Sequence, residues 1–195
     1  ALMGGTSLLF LAGCASGPTT PHHAAPPQTS VELAPVAQAC PAGVPEGARC
    51  LRGQDSAKAH YLIVTPAKWS GVLVVHAHGG PSLGEPKTTR ADEDIKRWAI
   101  TVQQGHAWAG SVFRQGGFAV TTAAEDTERV RRIFVDHVAK PRRTLLHGQS
   151  WGASVAAKGA ERGGSGGAKQ VGVVKVRGAP AMLGDPHFLH HRALP

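Results

Sequence analysis

Apolar and polar positions along this chain change period several times, and each change marks an element. HYLIVT at 60–65 is a β-branched run stopped by Pro66, and GVLVVH at 71–76 is a second. Unbroken apolar runs of this length are expected of strands buried on both faces. Over residues 92–104 the period lengthens: Ile95, Trp98, Ala99 and Val102 share one helical face. Asp92, Glu93 and Asp94 supply an acidic first turn there, and Gly105 is the natural stop. Residues 107–113 read as a strand and 114–117, RQGG, as a turn. Over 125–139 the stripe Val130, Phe134, Val138 is helical again and ends at Lys140-Pro141. A short strand at 144–147, a small-residue helix at 151–161 and a strand at 171–176 complete the series.

Strands alternating with helices imply an α/β fold, a mostly parallel sheet flanked by helices. A chain of 195 residues is long enough for one domain with a real core. Residues 15–39 are rich in Pro, Ala, Ser and Thr and read as a flexible tether; the folded part is expected over 40–162. The last stretch, 163–195, holds seven Gly, three Pro, three His and four Lys or Arg but one acid, Asp185, and its rhythm fades after Val176. It is expected to be an irregular tail.

The charge balance is basic, 21 Lys and Arg against 13 Asp and Glu, a formal +8. The positive residues are scattered, with clusters only at 129–132 and 142–143, and no nucleic-acid motif accompanies them. Nucleic acid is therefore not an expected partner. Glycine fingerprints for dinucleotides or P-loop phosphates are missing, so no cofactor is expected. His76 and His78 are two apart on a strand, a spacing that suits a metal, but no third ligand stands at a matching strand end. No metal is expected either.

Residues 1–14 form a signal-like segment in which LLFL at 8–11 is too brief to span a bilayer and ends in small residues. Leu11-Ala12-Gly13-Cys14 resembles the lipobox of bacterial lipoproteins. That resemblance implies acylation of Cys14 and, with Ala15 next, export to the periplasmic side of a bacterial membrane, the outer one in a Gram-negative cell. The membrane would then be a partner through the lipid. Cys40 and Cys50 remain, and an even remainder in an exported chain reads as a disulfide. Closing so short a loop stabilises by about 2–3 kcal/mol.

The candidate chemistry lies in HGQSWGA at 147–153, where Ser150 stands between Gly148 and Gly152. With 25 Gly in the chain, a shuffled sequence shows that spacing about one time in six, so context must decide. The motif follows a strand and precedes a helix, where a nucleophile elbow belongs. Such a turn needs small neighbours, which Gly148, Gly152 and Ala153 are, and it presents the Trp151 N–H to a developing oxyanion. A second motif, HAHGGP at 76–81, also follows a strand.

Together the two motifs, over residues 58–162, resemble the N-terminal half of an α/β-hydrolase, closest to secreted bacterial esterases and peptidases. The resemblance implies Ser150 as nucleophile, an oxyanion hole from the N–H of Trp151 with that of Gly79 or Gly80, and a small-molecule ester or, second, amide substrate. It also implies an acid and a base after Ser150, in the order Asp then His. Only 45 residues follow, and Asp185 and His187, though in that order, are separated by one proline, too close for two strand-end loops. His147 lies on the strand side of the elbow and is not expected to be the base. His106, Trp108 and Arg114 are further candidates for a pocket lining. Two functions follow as expectations: a lipoprotein serine hydrolase, or a non-catalytic, truncated or frame-shifted hydrolase-like chain that binds without turnover.

Overall fold

A computed structural model describes residues 31–163 and 171–176. Among the described residues are seven strands and three helices: β1 Val36–Gln38, β2 Arg49–Gln54, β3 His60–Thr65, β4 Val72–Ala77, α1 Arg90–Gln103, β5 Ala107–Ser111, α2 Val120–His137, β6 Arg143–Gln149, α3 Gly152–Gly163 and β7 Val171–Val176. They make one sheet in the order β1-β2-β3-β5-β4-β6-β7.

The sheet is mixed rather than mostly parallel. The pairs β1–β2, β2–β3 and β3–β5 are antiparallel, whereas β4–β5, β4–β6 and β6–β7 are parallel. The physical reason is connection length: parallel neighbours need a crossover of a dozen or more residues, while the short turn between β2 and β3 can join only an antiparallel pair. Asp55 builds that turn, its Oδ1 accepting from the N–H of Ala57 and of Ala59 at 2.9 Å each.

Strand alternation sends successive side chains to opposite faces, and both faces are covered. Leu62, Val64 and Trp108 pack with Ala91, Ile95 and Val102 of α1 on one side. Tyr61, Ile63, Leu73 and Val75 pack with Val130, Ile133 and Phe134 of α2 and Ala156 of α3 on the other. Each such side chain contributes about 1.5–3 kcal/mol by leaving water. Double coverage explains why the runs at 60–65 and 72–75 are continuous rather than alternating.

The fold begins before Cys40. Residues 31–39, expected as part of a tether, include β1, paired with β2 through Val36 and Arg52. Glu32 is buried and accepts from the Ser56 N–H and hydroxyl at 2.7 Å each. Helix α2 starts at Val120, five residues before the acidic pair at 125–126, because Ala123 and Ala124 are held in a third cluster with Ala77, Phe113 and Val155. A disulfide joins Cys40 to Cys50.

From β4 the chain crosses by α1 to β5 on one side, then by α2 to β6 on the other. Strand order therefore reverses at β4, and open α/β sheets bind ligands at the carboxyl ends of strands beside such a switch. The loop after β4 and the turn after β6 meet there.

Candidate active site

Ser150 occupies the turn between β6 and α3, is exposed, and has φ 52°. A left-handed backbone at a residue with a Cβ is uncommon, and the surroundings hold it there. A Cβ on Gly148 would overlap the Gly152 carbonyl, and one on Gly152 would overlap the carbonyls of Ala77 and His78. Both glycines are thus required by close backbone approach, and Gly152 is where the elbow sits on the end of β4. Helix α3 starts at once: the Ala153 N–H donates to the Ser150 carbonyl at 2.9 Å and the Ser154 N–H to that of Trp151 at 2.9 Å.

The loop after β4 lies beside the elbow, with the Cβ position of Gly79 3.3 Å from the Gln149 carbonyl oxygen. His78 is buried, lies 4.1 Å from the Phe113 ring, and donates through Nδ1 to the Gly79 carbonyl at 2.7 Å. Burial holds His78 below the ordinary histidine pKa, against the opposing effect of that carbonyl. Arg90, the first residue of α1, donates from Nη2 to the same carbonyl at 3.0 Å. Among the described residues the N–H groups of Gly80 and Trp151 have no hydrogen-bond partner.

Beneath the two motifs runs a buried polar chain. His76 and His147 are direct neighbours in the β4–β6 register, and their Nδ1 atoms are 2.8 Å apart. One ring donates and the other accepts. His76 Nε2 lies 3.8 Å from Asp94 Oδ1, and the opposite oxygen of Asp94 takes a contact from Arg90 Nε at 3.4 Å. Burial pushes the Asp94 carboxyl up, but His76 and Arg90 outweigh it and hold it below its usual value. Burial first, then His76, brings His147 down to about 3, so it is neutral at physiological pH. Its ring meets Trp98 edge-on at 4.2 Å, where α1 departs from helical geometry.

Of the residues expected near the site, Gly79 lies against Gln149, the neighbour of Ser150, and Trp151 lines the same cleft as His78, so the loop after β4 and the turn after β6 adjoin at the strand ends. His106 is not there: it precedes β5, at the opposite end of the sheet, and pairs with the Ser70 hydroxyl at 2.8 Å. Trp108 is fully buried in the core. Arg114 is at the correct end but is engaged, bonding Asp126 at 2.8 Å and Glu125 at 2.9 Å. Cys14, Asp185 and His187 lie outside the described residues. Among the described residues no group of three or more His, Cys, Asp or Glu is arranged to hold a metal ion.

Sequence reasoning missed Arg90, Asp94 and Phe113. Phe113, with φ 63°, is left-handed like Ser150 and Lys58 and stands in the wall of a cleft of about 230 Å³ with His78, Leu83, Arg90 and Trp151. A larger groove, about 840 Å³, runs along β1 to β3 past Val36, Arg52 and Tyr61. It contains neither motif, so volume alone does not locate the chemistry.

No family model and no curated protein matches the chain. Solved structures do. An esterase from the bacterial hormone-sensitive lipase family superposes with a TM-score of 0.50 at 17% identity, over 68% of this chain and 44% of that one. DphMB1 superposes with 0.50 at 23%, over 66% and 43%. EstE7, a homologue of the same lipase family from a metagenome library, gives 0.50 at 17%, over 68% and 45%. The chain has the α/β-hydrolase fold. It spans less than half the length of these structures.

Proposed function

We propose that this chain carries the nucleophile half of a serine hydrolase acting on carboxylic esters, with amides as the second class. The observation that carries the reading is Ser150 itself, an exposed hydroxyl on a left-handed residue, wedged between two obligatory glycines at the switch point of the sheet. Strain of this kind is kept where it aims a reactive group.

In the proposed reaction Ser150 Oγ attacks the ester carbonyl carbon while its proton passes to a base. The carbonyl π electrons move onto oxygen, and the Trp151 N–H, at the start of α3, together with an N–H of the Gly79-Gly80 loop, stabilises that charge. Collapse expels the alcohol, which takes up the proton, and leaves acyl-Ser150; water then releases the acid by the reverse sequence. His76, His78 and His147 are buried and engaged elsewhere, so none of them is assigned as base. Asp185 and His187 follow Ser150 in the required order. The non-catalytic alternative draws on the same commitment of the nearby histidines to structural contacts.

Turnover of a short-chain p-nitrophenyl ester, abolished in Ser150→Ala with melting unchanged, is the expected result; equal turnover in both proteins would sink the proposal. We further propose that Cys14 is acylated and that the domain works on the periplasmic side of a bacterial membrane, a compartment in which a Cys40–Cys50 disulfide persists.

A further inference from the structure

Arg90 breaks a local rule. A cation in the first turn of a helix opposes the helix dipole, yet Arg90 opens α1. Ion pairs with Glu93 at 3.9 Å and Asp94 at 3.4 Å on the same helix offset part of that cost, but they leave Nη2 to reach outside the helix. Here the guanidinium reaches back across the loop to the Gly79 carbonyl at 3.0 Å while its Nε is anchored near Asp94 at 3.4 Å.

We propose that Arg90 is a positioning residue for the second oxyanion donor: it pins the Gly79 carbonyl and so turns the Gly80 N–H toward the oxygen of an acyl group on Ser150. The inference rests on the reading of Ser150 as nucleophile. Its basis is peptide geometry. Across a trans peptide the carbonyl and the following N–H point in opposite directions. A Gly79 carbonyl held by Arg90 and His78 therefore directs the Gly80 N–H away from both, and that N–H is free among the described residues. The His78 bond is local, since His78 is the residue next to Gly79 in the same loop. Arg90 belongs to α1, a separate element, and supplies an external anchor.

The anchor is itself tied to the elbow. Asp94 is buried, faces His76 of β4 across 3.8 Å, and His76 bonds His147 of β6 at 2.8 Å. Ser150 lies three residues beyond His147. One chain of contacts thus runs from the oxyanion loop through part-buried Arg90 and buried Asp94, across 3.8 Å to His76, whose Nε2 makes no hydrogen bond, and through His147 to the strand that presents the nucleophile. It holds the loop and the elbow in a common frame, which an oxyanion hole assembled from both requires.

The test uses the full chain and its Arg90→Ala and Arg90→Lys variants, with Lys96→Met as a control on the exposed side of α1. Two readouts are taken: the saturating rate of Ser150 modification by a fluorophosphonate, and the amide nitrogen resonance of Gly80, which senses a hydrogen bond on the preceding carbonyl. Arg90→Ala should slow modification about 100- to 1,000-fold, the scale for losing one oxyanion donor, with little change in the concentration for half-saturation. Its Gly80 resonance should move, and millimolar guanidinium should restore both. Arg90→Lys should recover little, since a point charge cannot hold Gly79 and Asp94 together. Unchanged modification in Arg90→Ala overturns the inference and leaves Ser150 standing as nucleophile. If wild type is not modified, the nucleophile reading fails and the oxyanion role of Arg90 falls with it; an unmoved Gly80 resonance in Arg90→Ala overturns the positioning role even where Ser150 is modified.

Discussion

At Ser150 local strain and proposed chemistry meet in one residue. Replacing it by glycine should relieve the left-handed backbone and make the protein about 1 kcal/mol more stable than Ser150→Ala in urea titration, although both lack the hydroxyl. Gly148→Ala should do the opposite, costing about 1–3 kcal/mol as its Cβ drives into the Gly152 carbonyl. His147 gives a pH prediction. Its folded-state pKa, about 3, lies below the ordinary 6.5, so the unfolded chain binds its proton first as pH falls. The stability tied to neutral His147 is complete above pH 6.5 and is lost as pH drops toward 3, with a limiting slope of about 1.4 kcal/mol per pH unit. His78 acts in the same direction. Denaturant midpoints for His147→Phe should therefore fall less steeply between pH 6.5 and 4 than those of wild type. The small residues around Ser150 were legible from spelling alone, but the spelling recurs: Ser165 also stands between two glycines at the same spacing, outside the described residues. Only the strand before Ser150 and the helix after it separate the two. Arg90 and Asp94 were not legible, because nothing local says that α1 starts beside the loop after β4.

Among elements, the parallel half of the sheet was readable because buried strands are continuous apolar runs and helices carry a stripe. The antiparallel edge was not. β1 is three exposed residues, and β2 is Arg-Cys-Leu-Arg-Gly-Gln, whose pattern is broken by polar side chains facing the β1 to β3 groove. Beside the apolar contacts of Cys50 and Leu51, an ion network ties that edge to the helices. Asp126 of α2 is fully buried between Arg114, after β5, and Arg129, which also reaches Asp55 in the β2–β3 turn at 2.8 Å. Removing the carboxylate takes away the partner the two cations share, although Arg114 keeps Glu125 and Arg129 keeps Asp55, a loss of about 1–3 kcal/mol. Asp126→Ala should therefore lower stability to chemical denaturation far more than Glu161→Ala, whose exposed pair with Lys158 contributes little.

For the whole molecule, the paired motifs and the reversal of strand order at β4 agree on one location, the carboxyl ends of β4 and β6. The α/β-hydrolase fold was legible because both motifs sit at strand ends. Base and acid were not: Asp185 and His187, the pair in the expected order, lie outside the described residues. At the other end of the chain, intact-mass and lipid-incorporation measurements in a bacterial host should show a diacylglyceryl adduct that disappears in Cys14→Ser; an unmodified exported protein would refute the anchor. The central claim, that Ser150 is a nucleophile, is tested most directly by treating the folded full-length chain with a fluorophosphonate and mapping adducts by mass spectrometry. The expected result is one adduct, on Ser150, absent from Ser150→Ala and from denatured protein. Failure of the folded protein to react, or an adduct on a different serine, would contradict it.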